Sequence, residues 1–399
     1  MTEQTDRQLT RRFSVLNGAF FASYAGTAFL SYLLMQKQMS TALIGVVGAL
    51  VALASAAVQP LWGLLCDRYC CHRLFYVLGG VLAPLIYFAI AKSGSVPVLI
   101  VCALLSGCFI HCLQNMSNGW VAGLNHREGR KISYSSSRGW GSLAYALAAI
   151  LFGQAVLRFG DFAVPALMGV FCTATIAASF AIPRIRAAKE EQGGQASRPN
   201  LKEGLSILLH RRSYVAFVFC CFLGVFALAG ISTYFPVLLA ELGGNSGHVG
   251  MGNFAMAFSE SVFMMLFGRL IRKISFRRVF SFSLIMFALE CVLVGISPNS
   301  TCTVLALLTQ GLSYGLVVPC SQHYTFVHID PTYTSTAQLF SSAVGMSASM
   351  VFGNLFAGFL SGFLPLRWVF LVLGLFPLAG LVLYRISLHW EEQDAVKAE

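Results

Sequence analysis

Two carboxylate side chains stand out because each lies deep within a long apolar stretch. Glu260 lies about midway along the stretch 248–271, and Glu290 lies nearer the outer end of the stretch 277–297. Loss of hydration favours the neutral, protonated form of a carboxylate, so such a group can bind and release a proton. We therefore regard both as candidate proton-coupling groups. The alternatives are that Glu260 only holds helices together through a fixed partner, and that Glu290 meets water at the membrane interface.

Arg138 is the main cationic candidate, because it opens the apolar stretch 138–158. A guanidinium presents five hydrogen-bond donors in a planar fork, which suits sugar hydroxyls or a carboxylate. The alternative is an anchor whose charged head reaches the cytoplasmic membrane surface.

Uncharged polar and aromatic side chains form a third group, which suits hydrogen bonding and stacking with a small solute. His111, Asn115 and Asn118 follow at i, i+4 and i+7, a spacing that predicts one shared face of a regular helix. An amide stripe in an apolar helix either lines a cavity or bonds to another helix. The remaining candidates with this character are Tyr24, Gln310, Tyr314, His323 and Gln338.

These side chains must be positioned by helices that cross a membrane. The chain of 399 residues is 57% hydrophobic and only 11% charged, too few charges to cover a water-soluble protein of this size. In hydrocarbon the backbone polar groups must be satisfied internally, so each long apolar run predicts a helix. Twelve such runs lie near 13–35, 42–66, 73–92, 96–124, 138–158, 161–183, 214–240, 248–271, 277–297, 300–327, 335–364 and 366–388.

The basic residues predict the orientation of these helices. With the N-terminus in the cytoplasm, 22 of the 27 Lys and Arg residues fall on the cytoplasmic side and four on the other. We expect the protein to lie in the inner (cytoplasmic) membrane of the cell, with both termini in the cytoplasm. The net charge of +11 is then explained by the basic loop residues that set the orientation of the helices, and no nucleic-acid partner is expected.

The longest loop, 183–213, divides the chain into two groups of six helices. We predict an N-terminal bundle over 1–183, a cytoplasmic linker over 184–213 and a C-terminal bundle with a short tail over 214–399. Within the linker, residues 200–210 carry leucines on one face and predict a short interfacial helix. Two bundles joined in this way suggest a pseudo-symmetric carrier that rocks around a central cavity.

Other classes of function find little support in the sequence. It contains no His-Glu-x-x-His, no Gly-x-Ser-x-Gly and no phosphate-binding loop, so we expect no enzyme activity. No carboxylate or histidine cluster predicts a metal site, and no cofactor is expected. No stretch resembles a channel selectivity filter, and the loops are too short for a signalling domain.

An internal repeat links the two halves. The stretch from Gly63 to Arg73 and the stretch from Gly268 to Arg278 share a glycine, charges at the fourth and fifth positions after it, and an arginine ten positions after it. Each follows the second apolar run of its half.

The first copy resembles the G-x-x-x-D-R/K-x-x-x-R/K signature of the major facilitator superfamily. The resemblance implies an all-α integral membrane fold of twelve transmembrane helices in two pseudo-symmetric six-helix bundles. It also implies that Asp67, Arg68 and Arg73 form a cytoplasmic gating latch. Arg272 replaces the acid in the second copy, so that half lacks the acidic member of the latch.

Three further segments resemble lactose permease and its relatives, which carry oligosaccharides, nucleosides or phenylpropionate with protons. They are Gln59 to Asp67, the run Arg138-Gly139-Trp140-Gly141 and the run Gln310 to Gly315. The fourth run lacks the acid that pairs with the helix-five arginine in lactose permease, and Gln310 replaces a usual histidine. A lactose-specific site is therefore not expected.

We predict a monomeric secondary transporter that sits in the lipid bilayer and moves a small polar solute with protons by alternating access. Uncharged amides dominate the candidate site, which favours a sugar or glycoside. Import of nucleosides or aromatic acids, or proton-coupled export of drugs or metabolites, remain alternatives.

Overall fold

The computed structural model describes residues 2–183, 201–330 and 333–396, and these contain twelve helices long and apolar enough to cross a membrane. The twelve predicted runs are thereby confirmed. In chain order the helices are α1 (2–36), α2 (Thr41–Tyr69), α3 (His72–Lys92), α4 (96–128), α5 (Tyr134–Phe159), α6 (Ala163–Phe180), α7 (Arg212–Glu241), α8 (Ser246–Lys273), α9 (Phe276–Ile296), α10 (300–328), α11 (334–361) and α12 (366–396).

Some helices extend beyond the apolar runs. Helix α1 begins at Thr2, well before the predicted start at residue 13, because polar residues continue the helix outside the apolar part. There Asp6 accepts a hydrogen bond of 3.1 Å from the backbone N–H of Lys131 and lies 3.8 Å from Arg130. A helix forms over Leu201–His210, as predicted. Residues 184–200 of the predicted linker lie outside the described part of the chain.

Four of the helices contain a 3₁₀ or π-helical segment partway along their length. Helix α1 contains a 3₁₀ turn at Ala25–Phe29, α4 one at His111–Asn115, and α10 one at Leu307–Thr309. Helix α11 is π-helical over Ser341–Ala348. Such irregular turns often mark functional positions, and in a membrane they are tolerated where protein or a cavity surrounds them.

The two halves pack tightly at the end of the bundle opposite the chain termini. A Cβ atom on Gly358 of α11 would lie 3.1 Å from the Cα atom of Gly45 on α2. Likewise, a Cβ atom on Gly153 of α5 would lie 3.0 Å from the Cα atom of Gly250 on α8. Small residues allow this close backbone approach, which drives helix association in membranes.

Hydrogen bonds join the halves at this same end. The Tyr234 hydroxyl donates to the carbonyl oxygen of Thr41 at 2.6 Å, and the Thr41 hydroxyl donates to that of Ser361 at 3.2 Å. The Ser246 hydroxyl donates to the carbonyl oxygen of Gly153 at 3.0 Å. Helices α2, α5, α7, α8 and α11 therefore close this end.

The hydrophobic cores show that the halves separate toward the termini. One core at the closed end combines residues of both halves, including Phe152 and Tyr234. Nearer the termini, one core built around Phe13 and Trp120 belongs to the first half. A third core, built around Phe217, belongs to the second half. Because the cores divide in this direction, the two bundles diverge toward the terminal end.

Candidate functional site

Glu260 of α8 is bonded to Gln310 of α10. The Gln310 amide Nε2 donates to the Glu260 carboxylate, and Gln310 is buried while Glu260 is half-buried. The 3₁₀ turn at Leu307–Thr309 ends directly before Gln310. Helices α8 and α10 pack closely there, since a Cβ atom on Gly315 would lie 3.1 Å from the Cα atom of Glu260. The pair places a hydrogen-bonded carboxylate at the boundary between the halves.

Arg138 approaches this carboxylate from the first half. Its guanidinium carbon lies 3.8 Å from the centre of the Phe21 ring, and Nη1 donates to the Ser142 hydroxyl at 2.9 Å. The guanidinium lies within electrostatic range of the Glu260 carboxylate on the other half of the chain. The aromatic face stabilises the cation where water is scarce, so Arg138 is held as a cation against Phe21.

Tyr24 and His111 form a second polar pair in the first half. The Tyr24 hydroxyl lies 2.9 Å from Nδ1 of His111, and their rings meet edge to face at 5.2 Å. Nε2 of His111 is buried without a hydrogen-bond partner. Both residues adjoin 3₁₀ turns, because Tyr24 precedes Ala25–Phe29 and His111 begins the turn in α4.

Tyr314 of α10 belongs to the same group, since it follows Gln310 by about one helical turn and lies within electrostatic range of Arg138, Glu260 and Tyr24. The structure thus brings together six predicted residues from α1, α4, α5, α8 and α10. We refer to this set as the central polar cluster, which consists of Tyr24, His111, Arg138, Glu260, Gln310 and Tyr314.

The prediction missed two residues that border this cluster. The Tyr145 hydroxyl donates to Oδ1 of Asn253 at 3.4 Å, joining α5 to α8, and Tyr145 interacts electrostatically with Glu260. Tyr145 follows Arg138 by seven residues and Asn253 precedes Glu260 by seven, two helical turns in each case. That spacing is the signal that could have revealed them.

Glu290 lies on α9 and is fully buried. It accepts a hydrogen bond of 2.7 Å from the Ser313 hydroxyl on α10. The alternative in which Glu290 meets interfacial water is wrong, because packing of α9 against the second half covers its side chain.

Other candidates lie apart from the central polar cluster. His323 packs near the rings of Phe267 and Phe276. It follows Gln310 on α10 by thirteen residues, or about 20 Å along the helix axis. Gln338 is half-buried near the terminal end of α11, before its π-helical segment.

The prediction that His111, Asn115 and Asn118 share one face is wrong. It assumed a regular α-helix, but residues His111–Asn115 form a 3₁₀ helix of about three residues per turn. Asn118 is exposed, and the side chain of Asn115 lies outside the described part of the structure.

The signature residues lie where α2 meets α3. Arg73 donates to the carbonyl oxygen of Ser179 at 3.2 Å and also bonds that of Ile182, both at the end of α6. A cation there interacts favourably with the helix dipole. Arg68 is exposed and stacks on Tyr69 at 5.5 Å, and the side chain of Asp67 is not among those described.

Among the residues that the structure describes, no group of three or more His, Cys, Asp or Glu side chains could hold a metal ion. The cluster instead offers a cation, a carboxylate, an amide, an imidazole and two phenols. Such a set suits a solute with hydroxyl groups and an apolar ring face.

Twelve membrane-spanning helices in two bundles, with polar groups between the bundles, define a helical secondary-transporter fold. The sequence profile of the Major Facilitator Superfamily matches residues 14–344 and 240–398. The chain therefore belongs to the major facilitator superfamily, a multi-pass membrane transporter family whose members bind small solutes.

Individual relatives agree with this assignment. The chain is 26% identical over 378 residues to a maltose permease of Geobacillus stearothermophilus, covering 94% of this chain and 93% of that protein. It is 23% identical over 386 residues to an uncharacterized transporter, YwbF, of Bacillus subtilis, covering 94% and 92%.

Solved structures share the fold at low identity. The nucleoside transporter NupG has a TM-score of 0.78 at 14% identity, covering 95% of this chain and 99% of that one. A bacterial homologue of the human lysosomal transporter Spinster, crystallised inward-facing and unoccupied, has a TM-score of 0.73 at 10% identity, covering 96% of each chain.

Proposed function

We propose that this protein is a proton-coupled symporter that moves a sugar or glycoside across the cytoplasmic membrane by alternating access. The observation that supports it best is the placement of Arg138, which stacks on Phe21 in the first half, within electrostatic range of Glu260, which is bonded to Gln310 in the second half. A solute bound between these groups contacts both bundles, so its binding can be linked to their relative movement.

Glu260 is the group to which we assign the transported proton. When ionised, Glu260 attracts Arg138, and protonation removes that attraction. The guanidinium fork then becomes available to solute hydroxyls. Release of the proton restores the attraction and weakens the competing contacts to the solute. Proton and solute therefore bind together and leave together.

The chemistry of the central polar cluster favours an uncharged, hydroxyl-rich solute. Gln310, Tyr24 and Tyr314 offer hydrogen bonds and ring faces without adding net charge, while Arg138 and Glu260 balance one another. Likeness over nearly the full chain to a maltose permease agrees with this choice.

The divergence of the two bundles toward the termini supports alternating access. If the termini are cytoplasmic, as the basic residues predict, this conformation is open inward and closed at the outer end by α2, α5, α7, α8 and α11. Arg73, held at the end of α6, then belongs to the cytoplasmic latch together with Asp67 and Arg68.

Uptake by the purified protein in proteoliposomes tests the proposal. With an alkaline interior, we expect accumulation of a radiolabelled disaccharide such as maltose and proton entry on its addition. Uridine and phenylpropionate serve as competing substrates. Glu260→Gln should lose accumulation against a gradient while still exchanging labelled for unlabelled solute.

Glu241→Gln provides a matched control, because Glu241 is an exposed carboxylate at the end of α7. It should accumulate solute normally. Normal accumulation and proton uptake by Glu260→Gln would show that the coupling assignment is wrong. Saturable uptake of uridine or phenylpropionate, but of no sugar, would overturn the substrate class.

A further inference from the structure

The second buried carboxylate sits in surroundings unlike those of Glu260. Glu290 is 0% exposed, and its α9 neighbours Phe287 and Val294, one turn away on either side, are also 0% exposed. Its Oε2 accepts from Ser313, but its Oε1 is buried without a hydrogen-bond partner. An ionised carboxylate with one unpaired oxygen in such a place is costly, so the geometry fits a neutral carboxyl.

Three hydrogen bonds fix the rotation of α10 about its own axis. The backbone N–H of Gly311 donates to the Ser259 hydroxyl at 3.1 Å, and Gln310 donates to Glu260, both on α8. On the other side, Ser313 donates to Glu290 on α9. Ser313 follows Gln310 by one helical turn, so the α9 bond helps to set the direction of the Gln310 amide.

We propose that Glu290 is a positioning residue that stays protonated through the transport cycle and acts through Ser313 to aim Gln310 at Glu260. The inference rests on the proposed function, since it gives the two carboxyl groups separate roles. Glu260 exchanges the transported proton, and Glu290 does not.

The charges around the two carboxyl groups agree with this division. Glu260 and Cys291, the residue next to Glu290 in the chain, are titratable groups within electrostatic range of Glu290. Arg138 is a counter-charge for an ionised Glu260. If Glu290 were ionised as well, the repulsion between the two negative charges would oppose the ionisation of Glu260. A neutral Glu290 leaves Glu260 as the carboxyl whose charge can change.

The test compares an isosteric with an apolar replacement. Glu290→Gln keeps an oxygen that accepts from Ser313, so we expect uptake within about twofold of wild type and an unchanged pH profile. Glu290→Leu removes the acceptor and should raise KM about tenfold and displace the pH profile. Ser313→Ala should resemble Glu290→Leu, whereas Ser313→Thr, which keeps the hydroxyl, should restore the wild-type values.

Infrared spectroscopy supplies a readout that does not depend on transport. The wild-type protein should show a protonated-carboxyl band that persists at alkaline pH and vanishes in Glu290→Gln. Loss of that band on alkalinisation, or loss of accumulation in Glu290→Gln as complete as in Glu260→Gln, would overturn the inference. If no solute drives proton entry in the wild type, the proposed function fails while the band still reports on Glu290.

Discussion

The Tyr234 hydroxyl of α7 donates a 2.6 Å hydrogen bond to the backbone carbonyl of Thr41, at the first turn of α2. It joins the second half of the chain to the first. The ring of Tyr234 is fully buried in the core that both halves share. In the proposed alternating-access cycle, this bond must break and re-form each time this end of the bundle opens and closes. Its strength therefore affects the ratio of the closed to the open conformation.

Tyr234→Phe should favour opening at the end away from the termini. Loss of one buried hydrogen bond costs about 0.5–1.5 kcal/mol, or about two- to tenfold in the ratio of conformations. Distances between spin labels at the exposed residues Gln38 and Phe363 would report the shift. Tyr69→Phe, at an exposed tyrosine near the terminal end, should leave those distances unchanged. Equal distances in Tyr234→Phe and wild type would mean that this bond does not hold the end closed.

Gly153→Val should prevent closure of the same end. A Cβ atom there would lie 2.7 Å from the carbonyl oxygen of Ser246 on α8, so the helices must separate. We expect transport to fall at least about tenfold, with the spin-label distances lengthened. Gly268→Val is the matched control, since nothing lies within 4 Å of a Cβ atom at Gly268. Transport by Gly153→Val at the wild-type rate would show that α5 and α8 need not pack this closely.

The positions of the helices could be predicted from sequence because hydrophobic length and the demand for internal hydrogen bonds leave one solution for each apolar run. That the Glu260 carboxylate has a hydrogen-bond partner on another helix, Gln310, could also be expected from its position within an apolar run. Here the physical rule is strong, because charge is costly in lipid.

The irregular turns could not be predicted. Hydropathy does not distinguish an α-helical turn from a 3₁₀ turn, so the sequence predicts an α-helical period for His111, Asn115 and Asn118 where the structure contains a 3₁₀ segment. The complete burial of Glu290 could not be predicted for a related reason, because the position along a run does not reveal which neighbours cover a side chain. Tyr145 does not stand out in the sequence, because a single tyrosine in an apolar helix resembles an interface anchor.

Arg138→Lys should weaken solute binding although the positive charge is kept. The Arg138 guanidinium stacks 3.8 Å from the Phe21 ring and bonds Ser142, whereas an ammonium lacks the planar fork. Loss of this stacking is worth about 1–2 kcal/mol in a desolvated site, so we expect Kd to rise about tenfold. Calorimetric titration with the transported sugar measures it. Phe21→Leu should lower the affinity for sugar to a similar extent, and the double variant should bind little more weakly than either single variant. If the two losses of affinity were fully additive, the stacking of Arg138 on Phe21 would not serve binding.

Tyr24→Phe should affect both stability and affinity, because the Tyr24 hydroxyl is the hydrogen-bond partner of His111 Nδ1 at 2.9 Å. His111 Nε2 already lacks a hydrogen-bond partner, and the variant removes the Tyr24 hydroxyl as the partner of Nδ1. Leaving a buried polar group unsatisfied costs about 1–3 kcal/mol, which should lower Tm by several degrees.

His111→Phe removes the imidazole and should relieve that cost in the double variant. A coupling of about 1 kcal/mol between the two substitutions, measured by thermal unfolding in detergent, is therefore expected. Bound sugar should narrow the Tm difference if it hydrogen-bonds His111, whereas a difference that sugar leaves unchanged would make the pair purely structural.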